Sequence, residues 1–287
     1  MKNLIYFFEF LIIIILFTIF RIIGYKAASN LGFFIGKTFG PIFRSRSTIV
    51  KNIKNLKSSI EDKEIDEIIS NMWGNYGRIL AEYPFIPSFR KKKLENFLKI
   101  EGMENLKRIK DNNKPCVFIS GHFNNFELMA MQIENVGIEC AALYRPLNNQ
   151  FLNKLMEEIR TRDICKTQIK KGRAGTREII KNLKQGKSIA LMIDQRVREG
   201  EKINFFNNLA TTTTIPAQLI KKYNCDVVPV YIERNQNNYF KMYVSEPIKI
   251  KKTKSIKEIT LFLNVILEKM ILKNVDQWIW SHDRWKK

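Results

Sequence analysis

Val117-Phe118-Ile119-Ser120-Gly121-His122-Phe123-Asn124-Asn125-Phe126-Glu127 is the stretch around which the chain is organised. A short apolar run of β type ends at Gly121 and His122, and a helical pattern through Ile133 follows at once. Such strand-to-helix corners aim side chains and helix N-terminal amides at a ligand. His122 is one of two histidines in the chain. Glu127 follows five positions later, and residues five apart in one helix diverge by about 140°. The two can meet only if His122 precedes the helix and Glu127 sits in its first turn. Gly121 and the cap signal Asn124-Asn125 favour that arrangement. A pair of this kind activates a hydroxyl: neutral His122 takes the proton, and Glu127 fixes its tautomer and stabilises the imidazolium. The same spacing also fits an Asn124-x-x-Glu127 cap with His122 packed nearby. Spacing alone leaves both readings open.

Working outward, strands are expected at Leu98–Glu101, Pro115–Ile119, Glu139–Tyr144, Ser188–Ile193, Asp226–Tyr231 and Phe240–Val244. Helical patterns fall between most of them, at Met103–Lys110, Glu127–Val136, Asn149–Arg160, Thr176–Lys184 and Pro216–Tyr223. The alternation predicts an α/β fold with a mainly parallel sheet flanked by helices, preceded by a membrane-anchoring helix and a helical subregion. Neither a GxGxxG turn nor a GxxxxGK[ST] loop occurs, so nucleotide binding gains no support.

Leu4 to Phe20 is nearly unbroken hydrophobe, interrupted chiefly by Glu9. Extended to Ile23 it reaches the length of a spanning helix, and no small-residue cleavage site follows. Lys2 alone precedes the run, whereas Arg21, Lys26, Lys37, Arg44, Arg46 and Lys51 follow it. That asymmetry predicts a single-pass anchor with the bulk of the chain in the cytoplasm. Three regions are expected: 1–23 as anchor, 24–97 as a helical membrane-proximal region, and 98–287 as the α/β core. The glycine- and aromatic-rich segment Ala27 to Phe43 suits the plane of the interface, and the cluster Arg90-Lys91-Lys92-Lys93 suits anionic headgroups.

Forty-nine Lys and Arg against twenty-eight Asp and Glu give a formal charge of +21. Such a surface attracts anionic partners: lipid, acidic protein or nucleic acid. Cys116, Cys140, Cys165 and Cys225 are scattered, without CxxC or metal-ligand spacing, and read as reduced structural thiols.

Other residues suggest a site at the same sheet edge. Arg145, after the strand ending at Tyr144, suits bidentate contact with phosphate or carboxylate. Asp194-Gln195-Arg196 ends another apolar strand and shares the face expected for His122. Arg160 and Arg162 suit favourable cations at a helix C-terminus. Thr211 to Thr214 precede Pro216, where one threonine can cap the next helix and the helix start can receive an anion. Trp278-Ile-Trp-Ser-His282-Asp-Arg-Trp285 forms an aromatic and basic close that suits packing or interface anchoring.

Taken in order, these features resemble the lipid A biosynthesis lauroyl/myristoyl acyltransferases within the wider glycerolipid (lysophospholipid) acyltransferase superfamily. The resemblance rests on the N-terminal anchor, Gly121-His122-(x4)-Glu127, Tyr144-Arg145-Pro146, Arg160-x-Arg162, Gly172-Arg173 and Asp194-Gln195. It continues through Phe205-Phe206 with Ala210-Thr211-Thr212, and the closing Trp-x-Trp-x-His-x-x-Trp. It covers almost the whole chain. It implies an acyltransferase at the cytoplasmic face of the inner membrane, with an acyl carrier protein thioester as donor and a lipid A precursor as acceptor. His122 would be the general base with Glu127 as partner. Arg160, or Arg162 in the alternative register, would be the site arginine; Asp194, Arg145 and Thr211 would belong to the substrate-binding half. The glycerolipid branch usually carries Asp at position 127 and a Pro-Glu-Gly-Thr-Arg block, which this chain lacks. Phe206-Asn207 stands where Phe-Phe-Gly is common, and Asp283 where a basic residue is common. No Ser or Cys is placed as a covalent nucleophile, so direct transfer is expected, without metal or organic cofactor and without nucleic acid. The competing expectations are acyl transfer to another amphipathic acceptor, such as a lysophospholipid, ornithine lipid or glycolipid, and a non-catalytic basic membrane- or nucleic-acid-binding protein.

Overall fold

Strands that are mostly buried, with the β-type run Val117–Ser120 buried throughout, form the centre of the fold. The structure is a computed structural model that describes residues 2–56 and 59–286. The helical region contains α1 (Lys2–Ile23), α2 (Tyr25–Phe39), α3 (Arg46–Lys54), α4 (Asp62–Glu82) and α5 (Ile86–Arg90). The sheet region follows with β1 (Leu98–Glu101), α6 (Met103–Asn112), β2 (Val117–Ser120), α7 (Glu127–Asn135), β3 (Cys140–Tyr144), α8 (Gln150–Ile159) and β4 (Thr167–Lys170). It continues through α9 (Arg173–Lys184), β5 (Ser188–Met192), β6 (Glu201–Phe205), β7 (Asn208–Thr212), α10 (Ile215–Tyr223), β8 (Val227–Arg234), β9 (Phe240–Val244) and α11 (Ile256–Lys273).

Seven strands form one sheet in the order β1-β9-β8-β2-β5-β3-β4. Strands β8, β2, β5, β3 and β4 are mutually parallel, while β9 runs antiparallel to β8 and carries β1 parallel to itself at the edge. All four residues of β2 are buried, as expected of a central strand covered on both faces. The expected α/β architecture is present. Strand β4 was not foreseen, because Thr-Gln-Ile-Lys buries only Ile169 and shows no apolar run. The β6–β7 hairpin was also missed. Its turn residues Phe206 and Asn207 both have positive φ, at 49° and 57°, a geometry usually signalled by Asn-Gly. Asn tolerates this left-handed region better than most residues, so Asn207 can hold the turn without a glycine.

Local chemistry defines the element ends. Asn149 caps α8 by accepting from the backbone N–H groups of Phe151 and Leu152, at 3.1 and 3.2 Å. Ser255 and Glu258 form a reciprocal capping box at the start of α11. The α2–α4 contact rests on glycine: a Cβ on Gly32, Gly36 or Gly77 would collide with backbone of the opposing helix. The glycine-rich face of the Ala27–Phe43 segment therefore packs against α4, while Phe34, Phe39, Ile42 and Phe43 remain exposed.

Across the face of the body runs α1. Phe17 and Phe20 are buried and Ile13 and Leu16 pack on the core, whereas Leu4, Ile5, Phe8, Ile12, Ile15, Ile19 and Ile22 are exposed. Among the described residues, α1 is the one helix long and apolar enough to cross a membrane.

Replacing Gly77 with Ala should force α2 and α4 apart and cost about 1–3 kcal/mol, as overpacking does elsewhere. Chemical denaturation in detergent checks this; a midpoint unchanged from wild type would show that the close approach is not required.

Candidate active site

Strand register alone brings the first two functional side chains together. In the parallel pair β2–β5, Ser120 lies opposite Met192, and the Ile193 N–H donates to the Ser120 carbonyl at 2.9 Å. Two residues beyond each strand end stand His122 and Asp194. The His122 Nδ1 lies 2.8 Å from Asp194 Oδ1, and the His122 backbone N–H donates to Oδ2 at 2.8 Å. Trp278 Nε1 donates to the same Oδ2 at 2.9 Å. The partner of His122 is therefore Asp194, and the expected His122–Glu127 tautomer lock is corrected. With Nδ1 protonated toward the carboxylate, Nε2 is left as the basic nitrogen.

Electrostatics reinforce this assignment. Burial works against a charged Asp194, but the His122 charge and the donors from His122 and Trp278 outweigh it and hold the carboxyl down at about 2. Burial also disfavours the His122 imidazolium, yet attraction and hydrogen bonding by Asp194, helped by Glu127, raise its pKa above the ordinary 6.5. Arg160 opposes that rise. The imidazole keeps 22% side-chain exposure, whereas Asp194 is fully buried. That is the combination a base needs: a fixed orientation and an open edge.

Glu127 begins α7, as the helical pattern required, but it faces a different group. Arg160 donates to its Oε1 through Nε at 2.8 Å and Nη2 at 2.6 Å, and the Tyr83 hydroxyl donates to the same oxygen. Nη2 also lies 3.2 Å from the Tyr83 oxygen. Arg160 is the first residue of a π-helical turn, Arg160–Ile164, that continues α8 and packs on α7. Its guanidinium lies 5.6 Å from the Tyr144 ring centroid. The site thus consists of an imidazole–carboxylate pair beside a partly buried cation held by Glu127 and Tyr83.

The alternative arginine, Arg162, is exposed and turns to its neighbour Asp163, with Nε 2.8 Å from Oδ2. Arg145 is exposed just past β3, at the sheet edge that carries His122. Thr211 is buried in β7, and its carbonyl accepts from the Arg284 guanidinium at 2.9 Å, so the structure gives it a packing contact. Thr214 stands at the start of α10 without a side-chain cap bond. The asparagines of the central stretch do not cap α7 either. Asn124, at φ 43°, donates to the Ile232 carbonyl at 3.2 Å and to Gln277 Oε1 at 2.6 Å, and Asn125 donates to Glu82 Oε2 at 3.1 Å. They tie the His122 loop to β8, the closing segment and α4.

Tyr83 is a neighbour of the site that the sequence did not single out, and Trp278, expected only to pack or anchor, donates to Asp194. His282, adjacent in sequence to Asp283, uses Nε2 to accept from the Arg196 N–H at 2.9 Å and so holds the loop after Asp194. Burial lowers its pKa to about 4, which keeps the ring neutral in that acceptor role. Among the described residues, no group of three or more His, Cys, Asp and Glu side chains is arranged to hold a metal ion.

An oriented base beside a fixed cation on an α/β sheet edge suits transfer of an acyl group to a hydroxyl. Over residues 1–287 the sequence matches the family described as bacterial lipid A biosynthesis acyltransferase, and the chain belongs to that family. It is 26% identical over 270 residues to the lipid A biosynthesis palmitoleoyltransferase of Escherichia coli (strain K12), covering 91% of this chain and 86% of the relative. It is 24% identical to a lipid A biosynthesis acyltransferase of Haemophilus influenzae, over 88% of this chain and 83% of the relative. Among solved structures it is similar to the 1-acyl-sn-glycerophosphate acyltransferase PlsC of Thermotoga maritima, with 14% identity, 88% and 97% coverage and a TM-score of 0.43. The protein is an acyltransferase of lipid A biosynthesis.

Asp194→Asn should lower the His122 pKa, so the acid limb of the kcat/KM profile moves to lower pH. The sign follows because the base must be neutral and Asp194 is what raises its pKa. Turnover should fall by about 10²–10⁴-fold, the range for a displaced general base; an unmoved limb would separate Asp194 from the chemistry. Arg160→Lys should lose most activity, since one ammonium cannot reproduce the Glu127–Tyr83 contacts, while Arg162→Ala should stay near wild type. Matched initial-rate measurements on both variants decide which arginine serves the site.

Proposed function

We propose that the chain transfers a fatty acyl group from an acyl carrier protein thioester to the hydroxyl of a 3-hydroxyacyl chain on a lipid A precursor. The observation that carries the proposal is the 2.8 Å His122–Asp194 pair beside Arg160, in a chain of this family. His122 Nε2 removes the hydroxyl proton as the oxygen attacks the thioester carbonyl, forming the C–O bond. Asp194 stabilises the imidazolium that results. Negative charge gathers on the carbonyl oxygen, where Arg160 stabilises it, held in place by Glu127 and Tyr83. Collapse breaks the C–S bond, and the proton on His122 passes to the departing thiolate. The products are the O-acylated lipid and free carrier thiol. Every proton and electron pair is accounted for, and the route calls for no metal or organic cofactor and no acyl-enzyme.

The formal charge of +21 suits both partners, an acidic carrier and a phosphate-bearing acceptor. Arg145 is assigned to the acceptor's anionic groups. The apolar N-terminal helix and the basic residues after it support work at the cytoplasmic face of the inner membrane.

The test is mass spectrometry of products from membranes carrying the wild type or His122→Ala, supplied with acyl carrier protein thioesters and a tetra-acylated lipid A precursor. The expected result is a gain of one acyl chain that is absent in the variant. No gain with the folded wild type would reject this donor–acceptor pair; acylation of a supplied lysophospholipid or glycolipid instead would move the assignment to that acceptor.

A further inference from the structure

The two histidines of the chain, far apart in sequence, meet the two ends of one short loop. Asp194-Gln195-Arg196 follows β5, and His122 engages its first residue through the carboxylate. His282 engages the last: the Arg196 backbone N–H donates to His282 Nε2 at 2.9 Å. On the same closing segment, the Trp278 indole donates to Asp194 Oδ2 at 2.9 Å. The segment therefore grips the loop at two points, the Asp194 carboxylate and the Arg196 amide. The Arg196 side chain adds a third tie, its Nε donating to the Lys286 carbonyl at 3.1 Å.

His282 is itself held from the helical region. Buried Asn52, on α3, donates through Nδ2 to the carbonyls of Trp280 and His282, each at 2.8 Å. Only an unprotonated ring nitrogen can accept a backbone N–H, so Nε2 of His282 is bare and its ring proton lies on Nδ1. His122 has the same tautomer, with Nδ1 toward Asp194 and Nε2 basic. The surroundings of the two rings differ. At His282 burial is the largest influence; Asp194 and Asp283 favour an imidazolium, Arg284 and His122 oppose it, and the pKa falls to about 4. Burial weighs on His122 too, but there Asp194 and Glu127 prevail over it and over Arg160, and the pKa rises. One ring is equipped to take a proton, the other to stay neutral while that happens.

We propose that His282 is a positioning residue for the transfer: as a neutral acceptor of the Arg196 N–H, it keeps the Asp194 carboxylate in line with His122 Nδ1 while His122 Nε2 takes the acceptor's proton. It acts through the loop. The demand on that loop arises in the step itself. As His122 becomes an imidazolium, its attraction for Asp194 grows, and a loop tied only at its first residue could shift with the pair. Fixing Arg196 as well leaves Nε2 in place against the hydroxyl. Misplacement by about 1 Å can cost about 100-fold in rate, so a hydrogen bond outside the reacting atoms has a large lever. Through Asn52 the same support extends to α3.

The rate readout rests on the acyl-transfer reading; the second readout below does not. In the full chain, His282→Leu removes the acceptor, and His282→Gln supplies a carbonyl oxygen in its place. The expected result for His282→Leu is a kcat lowered by about 10–100-fold. The acid limb of its kcat/KM profile should also move to lower pH, because a loosened Asp194 raises the His122 pKa less. His282→Gln should recover most of the rate and return the limb. Wild-type kcat and limb in His282→Leu overturn the proposal, as does a His282→Gln variant no better than the leucine. Ring-nitrogen NMR of the histidine-labelled wild type needs no variant, since two rings give two separable patterns. It should show His282 protonated on Nδ1 and neutral down to about pH 5, while His122 titrates above its ordinary value. A His282 proton on Nε2, or titration alongside His122, overturns the proposal. Absence of transfer by a wild type with the expected ring pattern would count against the donor and acceptor assigned above, and leave the His282 contact standing.

Discussion

The Asp194 carboxylate is the constraint on which the rest of the site depends. It is fully buried and charged, and a charge in that position is tolerated only if its oxygens are filled with donors. The donors come from two places: the backbone and ring of His122 after β2, and the indole of Trp278 near the close of the chain. Satisfying one carboxylate therefore fixes three segments at once. The β2–β5 register must place Ser120 opposite Met192, the corner must turn at Gly121, and the closing segment must fold back under the sheet edge. The closing segment is held by further buried contacts: Trp280 to the Val275 carbonyl at 2.6 Å, Trp285 to the Phe205 carbonyl at 3.1 Å, and Arg284 to Thr212 at 2.7 Å. Its aromatic residues are thus part of the support for the base.

A second buried charge braces the same loop from the opposite side. Glu82, at the end of α4, is fully buried and takes both guanidinium nitrogens of Arg234, at 2.6 and 3.0 Å. It also receives Ser29 at 2.7 Å and Asn125 at 3.1 Å. Removing one partner of such a pair typically costs about 3–5 kcal/mol, because the other charge is left stranded. The helical region is therefore structurally inseparable from the sheet, and the loop carrying His122 is gripped by Asp194 on one side and Glu82 on the other. A loop held at both ends keeps its polar groups oriented before substrate arrives, which is what electrostatic stabilisation of a developing charge requires.

Much of this was legible in the sequence, for identifiable reasons. Val117–Ile119 and Ser188–Ile193 are apolar runs too short for helices, and each is followed by a chemically distinctive residue. That was enough to place His122 and Asp194 on one sheet edge. Their pairing was not legible, because it requires β5 to insert between β2 and β3, and no local pattern encodes strand order. Proximity in sequence instead favoured Glu127, whose true partner Arg160 lies thirty-three residues away across a helix–helix contact. Tyr83 was hidden because Tyr-Pro-Phe reads as a turn between helices. Asn124 and Asn125 were misread as caps since the same amide chemistry serves caps and long-range ties alike.

Glu9 shows most clearly what composition cannot resolve. In a hydrophobic run one carboxylate reads as a cost, to be excused by its nearness to an end. In the fold it sits 2.9 Å from an asparagine whose other atom caps α8, so the same residue becomes the point at which α1 is docked. A spanning helix and a helix lying on a protein within one leaflet share length and hydropathy. They differ in which side chains are large enough to fill the body's surface and in where the polar exceptions fall. The inward side chains here are mainly aromatic, Tyr6, Phe10, Phe17 and Phe20, whereas isoleucine and leucine dominate the outward face. Both sets are hydrophobic, so no transfer scale separates them. The distinction lies in shape complementarity and one hydrogen bond.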